Sequence, residues 1–138
     1  MKPSVLLLRF VVTLLIFLLL DSVWLGVIAD GFYQENIGHM LGPVNWAAAI
    51  AFYLLYIAGI LYFAVIPSAS EAGIAMPVLA AKKGAVLGLV SYGTYDLTNL
   101  ATLDGWPLAM VAIDLCWGTV LTATVSGLSS WFGRKWQQ

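Results

Sequence analysis

Charge is scarce in this chain. Of its 138 residues only 9% are Asp, Glu, Lys or Arg, where a soluble domain carries about a quarter. So few charges cannot coat a water-facing surface, which excludes an ordinary soluble enzyme. A formal net charge of −1 lacks the basic footprint of a nucleic-acid binder, so no nucleic-acid partner is expected. The single cysteine, Cys116, excludes an intrachain disulfide framework and a two-cysteine redox motif. The single histidine, His39, leaves Ser91, Ser129 and Ser130 without a nearby base, so no Ser-His-Asp triad can be assembled. No Gly-rich phosphate loop follows a strand, and no nucleotide is implied.

What remains is apolar. Hydrophobic residues make up 62% of the chain, and the mean hydropathy is +0.93. The solvent this composition suits is lipid. Four stretches, about 4–28, 45–66, 76–103 and 106–132, approach or exceed the roughly 20 residues that a hydrocarbon core requires. Pro43 precedes the second stretch and Pro67 follows it, while Pro77 and Pro107 fall in first turns, where a missing N–H costs nothing. The expected fold is all-α: one domain, 1–138, of four transmembrane helices in an up-down-up-down bundle. Residues 1–29 also have the outline of a signal peptide, with Lys2 and Arg9 ahead of an apolar run and small residues at its end. That run is too long for one, and Asp21 and Trp24 interrupt it, so the first stretch is read as a span.

Orientation follows from the positive residues. Lys2, Arg9, Lys82, Lys83, Arg134 and Lys135 all fall on one side of a four-span arrangement, while the loops on the other side hold Asp30, Glu35 and Asp104. The positive-inside rule then puts both termini in the cytoplasm. Residues 29–44 form an outer loop, and Asp104-Gly105 a tight outer turn.

Three carboxylates, Asp21, Asp96 and Asp114, interrupt the spans. Each costs a few kcal/mol at a helix centre, so such residues mark a pathway or a site. Counting from the outer ends puts all three about eight residues deep, roughly 12 Å below the boundary, with Tyr53 at the same depth. They are therefore expected to meet. Helical spacing agrees, because residues at four- and seven-residue intervals share a face. Gly84, Gly88, Tyr92, Asp96 and Asn99 form one stripe, and Asp114, Gly118, Thr122 and Ser126 a second. Thr13, Phe17, Asp21 and Trp24 form a third, and Asn45, Ala49, Tyr53 and Tyr56 a fourth. Small residues at such intervals let helices approach closely in lipid. Leu, Val, Ile and Phe are left for the lipid side.

No intramembrane Lys or Arg lies at that depth, so the acids must be answered by protons, a bound cation, or Tyr, Trp and Asn donors. Three readings result. The acids can be a proton or cation site, with Tyr53, Tyr92, Tyr95, Asn99, Trp24 and Trp117 around them, in a small coupled transporter whose limited volume a homodimer would extend. They can be a catalytic pair acting on a membrane lipid or isoprenoid head group. They can also be a hydrogen-bond knot that clamps helices for a structural or assembly role. Residues 5–10 and 59–66 carry few polar side chains apart from Arg9 and Tyr62, which favours a pocket open on one side. Asp-x-x-Trp recurs at Asp21–Trp24 and Asp114–Trp117, the outline of a faint internal repeat.

Lesser features have plainer readings. Glu35 and His39 share a helical face if their loop is helical and are weak metal candidates, although even a catalytic zinc needs about three protein ligands. Trp46, Trp106, Trp131 and Trp136 sit near span ends as an interfacial belt. Cys116 is inert packing.

With Asp21-Ser-Val-Trp24-Leu-Gly26, Tyr95-Asp96-Leu-Thr-Asn99 and Asp114-Leu-Cys-Trp117-Gly118-Thr119 in view, the chain resembles a family of small bacterial membrane proteins known only as a domain of unknown function. The resemblance covers essentially the whole chain. It implies a bacterial inner-membrane location and four spans, and supplies no reaction, ligand or cofactor.

Overall fold

The computed structural model describes residues 1–136 and is all-helical over them. Helix α1 (Pro3–Val23) starts on a proline at its first position and runs into a π turn, Trp24–Ile28. There the Ala29 N–H reaches back five residues to the Trp24 carbonyl at 2.8 Å. The outer loop is not irregular throughout, because it folds a short helix, α2 (Asp30–Ile37), and a 3₁₀ turn, Gly38–Met40. Helix α3 (Trp46–Ile60) is capped by Asn45, whose side chain accepts from the Ala48 N–H at 3.1 Å.

The far end of α3 continues as a second π turn, Leu61–Val65, and a 3₁₀ turn, Ile66–Ser68. Pro67 explains the change. It has no N–H for the Phe63 carbonyl and its ring would crowd that group, so the ladder shifts register before the chain turns. Helix α4 (Ala75–Thr102) and helix α5 (Leu108–Gly133) are the long pair, joined by a turn at Gly105, whose φ of 76° suits glycine.

Three helical stretches are long and apolar enough to cross a membrane: Pro3–Ile28, Trp46–Ser68 and Leu108–Trp136. Helix α4, at 28 residues, is long enough, yet Lys82, Lys83, Asp96 and its Gly, Ser and Thr residues leave it outside that group. It nevertheless packs along α5 at backbone contact. A Cβ on Gly84 would lie 2.6 Å from the Thr122 carbonyl oxygen, and one on Gly88 2.1 Å from that of Gly118.

The apolar core sits where α1, α3 and α5 meet, around Phe17, Ile57, Ile60, Leu121 and Val125. Leu7, Leu15, Leu19, Leu55, Val86 and Val120 project outward and are exposed, an apolar exterior of the kind that lipid covers. Three residues stand elsewhere than their positions in the chain suggested. Trp106 is buried rather than part of an interfacial belt, and Cys116 lies on the exposed face rather than in packing. Arg9 is folded into the bundle.

Candidate functional site

The stripes on α1, α4 and α5 turn their acids inward. Asp96 is 0% exposed, Asp114 4% and Asp21 8%. Asp96 of α4 lies beside Asp114 of α5, and the neighbours of Asp21 on α1 include Trp117, Tyr53 and Tyr92. A cavity of about 360 Å³ has Asp21, Asp114, Trp24, Tyr33, Tyr53 and Trp117 in its wall. Asp96 is not part of that wall.

Satisfaction differs sharply among the three carboxyls. Asp114 accepts a hydrogen bond from the Tyr33 hydroxyl, which in turn accepts from the Trp24 indole N–H at 3.2 Å. Both oxygens of Asp96 are buried and have no well-aligned hydrogen bond among the described residues, with the Asp114 carboxyl and the Trp106 indole as polar neighbours. The Trp106 and Trp117 N–H groups likewise lack a well-aligned acceptor, although Asp96 and Asp21 stand beside them. Buried polar groups normally find partners, so this concentration of unsatisfied atoms sets the region apart. Tyr33 lies on α2, outside the long helices, and burial first, then its bond to Asp114, hold its phenol well above the ordinary tyrosine range. It therefore remains a donor at any physiological pH.

The two Asp-x-x-Trp segments come together here. Trp24 and Trp117 stack face to face, with ring centroids 4.4 Å apart and planes 8° from parallel. Each indole reaches toward the other helix's acid, Trp117 directly beside Asp21 and Trp24 through Tyr33 to Asp114. Such a stack adds roughly 1 kcal/mol beyond its burial. One turn before Asp21, Phe17 belongs to the apolar core, its ring edge-on to Tyr53 at 5.9 Å and to Tyr56 at 5.7 Å.

Toward the side the cavity is not closed by core. Phe52, Tyr92 and Tyr95 belong to its wall and also to that of a cleft of about 410 Å³ between α3 and α4, which Tyr56 and Ser91 complete. The shared residues make the cleft and the cavity neighbours across a thin aromatic screen.

Asn99 is only half-buried and stands outside the wall, and Tyr95 is half-exposed, packed edge-on against Trp106 at 5.7 Å. Glu35 on α2 and His39 in the following turn are both exposed. Among the described residues no three His, Cys, Asp or Glu side chains gather as a metal site. Sequence reasoning passed over Tyr33, which sits in the outer loop, and set Trp106 aside because it stands at a span end. The signal for Tyr33 was available: with Ala29 and Ile37 it forms the four-residue spacing of a helical face.

No curated protein and no solved structure matches this chain. A family model described as "Predicted membrane protein (DUF2177)" matches residues 6–131, nearly the whole length. The chain belongs to that family of membrane proteins.

Proposed function

We propose that the protein is a four-span bacterial inner-membrane protein whose buried acids act on a polar group carried by a membrane lipid or isoprenoid. The observation that carries this reading is the aromatic cleft between α3 and α4 against the acid-walled cavity. An acyl or isoprenoid chain lying in the cleft delivers its head group between Asp21 and Asp114. Asp114, held by the Tyr33 hydroxyl, takes the role of base, and Asp21, among aromatic neighbours, that of acid. Asp96 backs Asp114 as the group with which a proton is shared. The apolar core around Phe17, one turn from Asp21, supports a site open on one side. In this reading α4 is the fourth span, since it is about 42 Å long and meets α5 at backbone contact at Gly84 and Gly88.

Lipids extracted from the purified protein test the reading. Asp114→Asn should retain a lipid species that wild type turns over, and Ser91→Trp, which fills the cleft, should lose it. Identical lipid profiles in wild type and both variants would overturn the proposal. The four-span topology with both termini in the cytoplasm has its own test. In a Cys116→Ser background, Glu35→Cys should react with an impermeant maleimide added outside intact cells, and a C-terminal reporter should be active in the cytoplasm. A reporter active in the periplasm would overturn that topology.

A second reading, proton- or cation-coupled transport, is favoured by a run of buried hydroxyls below the cavity. Tyr56 and Thr122 are paired at 2.7 Å, and Thr13 and Ser129 at 2.5 Å. Flux into proteoliposomes driven by a pH gradient and abolished by Asp96→Asn would move the assignment to transport.

A further inference from the structure

At the end of the bundle away from the acids, a full positive charge is buried. Arg9 is 1% exposed, and α1 places it twelve residues before Asp21, about 18 Å along the helix. A guanidinium cannot shed its proton, and it presents five N–H groups in a fixed fork. One of them is used: Nη2 donates to the Gly133 carbonyl, at the end of α5, at 3.3 Å. Nε and Nη1 are buried with no partner. Capping the last turn of α5 accounts for the Gly133 contact and leaves most of the fork unanswered. Among the described residues no Asp or Glu lines the space beside it.

Arg9 lines a cavity of about 650 Å³ whose other walls include Lys2, Val5, Ile66 and Trp136, and no Asp or Glu. Two cations on a wall that has no Asp or Glu among the described residues call for an anion. The fork geometry of Arg suits a tetrahedral oxyanion, whose oxygens accept two parallel N–H bonds.

We infer that this cavity is a binding site for a phosphate group, with the buried Arg9 fork as its anchor and Lys2 as a second contact. The phosphate is that of an anionic phospholipid head group or a free phosphate. The site is separate from the acid-walled cavity, and nothing in it depends on the chemistry proposed there.

The full-length protein in a neutral maltoside detergent provides the test. Its unfolding midpoint is followed as phosphatidylglycerol or, separately, inorganic phosphate is added, with diacylglycerol and sodium chloride of equal ionic strength as controls. A ligand that binds only the folded state raises the midpoint with the logarithm of its concentration once that exceeds Kd. The midpoint should rise, and Arg9→Met should abolish the rise whatever its own starting value. Lys2→Ala should raise the concentration needed for the same rise by about fivefold, the weight of one exposed charge. A rise with phosphatidylglycerol alone assigns the site to lipid, and a rise with inorganic phosphate as well assigns it to the free anion. If Arg9→Met does not fold, Arg9→Lys replaces it, since it keeps the charge, loses the fork and should reduce the rise. No rise with either ligand would overturn the site, as would an equal rise in the Arg9 variant, and either would leave Arg9 as a cap on α5.

Discussion

Gly88→Ala and Gly118→Ala will each destabilise the protein by about 3 kcal/mol, at the upper end of what overpacking costs. Gly59→Ala will leave it unchanged or slightly more stable. A Cβ on Gly88 would lie 2.1 Å from the Gly118 oxygen and 2.8 Å from its carbonyl carbon. Both are backbone atoms, so relief requires α4 and α5 to move apart along their shared seam. A Cβ on Gly118 would lie 2.2 Å from the Tyr92 ring, and that ring is wall to both the cavity and the cleft. Gly118→Ala should therefore disturb the acid-walled cavity as well as the pairing. At Gly59 the same added atom meets nothing within 4 Å, and the higher helix propensity of alanine, worth about 1 kcal/mol, is the main remaining effect. Equilibrium unfolding in mixed micelles measures all three. Equal stabilities for Gly88→Ala and Gly59→Ala would show that the seam is not as tight as described.

Opposite responses are expected from the paired acids. Asp96→Val will raise stability by about 1–3 kcal/mol, because it removes a fully buried carboxyl that has no well-aligned hydrogen bond and crowds that of Asp114. Asp114→Val will lower it by about 2 kcal/mol, because it strands the Tyr33 hydroxyl, which donates to Asp114. A hydrogen-bond knot that held the helices together would need Asp96 at its centre and would lose stability on its replacement. A gain in stability on Asp96→Val would mean that this buried carboxyl is kept for a use other than cohesion. Thermal unfolding of the two variants side by side decides between these accounts. A loss of several kcal/mol in Asp96→Val would restore the knot.

The helical faces were open to reading from the sequence because a four-residue spacing, once found, constrains every residue on it. Gly84, Gly88 and Asp96 of α4, and Asp114, Gly118, Thr122 and Ser126 of α5, are all buried. Asn99 was placed by the same rule and ended up half-buried, since three residues from Asp96 is a rotation of about 60° off the line. Depth counted along the chain suggested that the three acids meet. It carries no information on lateral distance, which the neighbours supply: Asp96 is beside Asp114, and Asp114 shares a cavity wall with Asp21. Arg9 shows the same limit from the other direction. Near a helix end, a long basic side chain can reach outward to water or fold inward over a neighbouring helix. What decides the matter for Arg9 is the end of α5, more than 120 residues away in the chain. Trp106 resembled the other terminal tryptophans until the position of Asp96 was known.

The Trp24–Trp117 pair gives the protein an optical handle of its own. Two indoles this close and nearly parallel couple their electronic transitions, which produces a paired positive and negative band in circular dichroism that isolated tryptophans lack. Both rings form part of the cavity wall, and they come from the two helices that carry Asp21 and Asp114. Whatever enters between those acids must press on the stack or slide along it. The couplet should therefore shift on occupancy, so that candidate ligands can be screened against the protein without a dye.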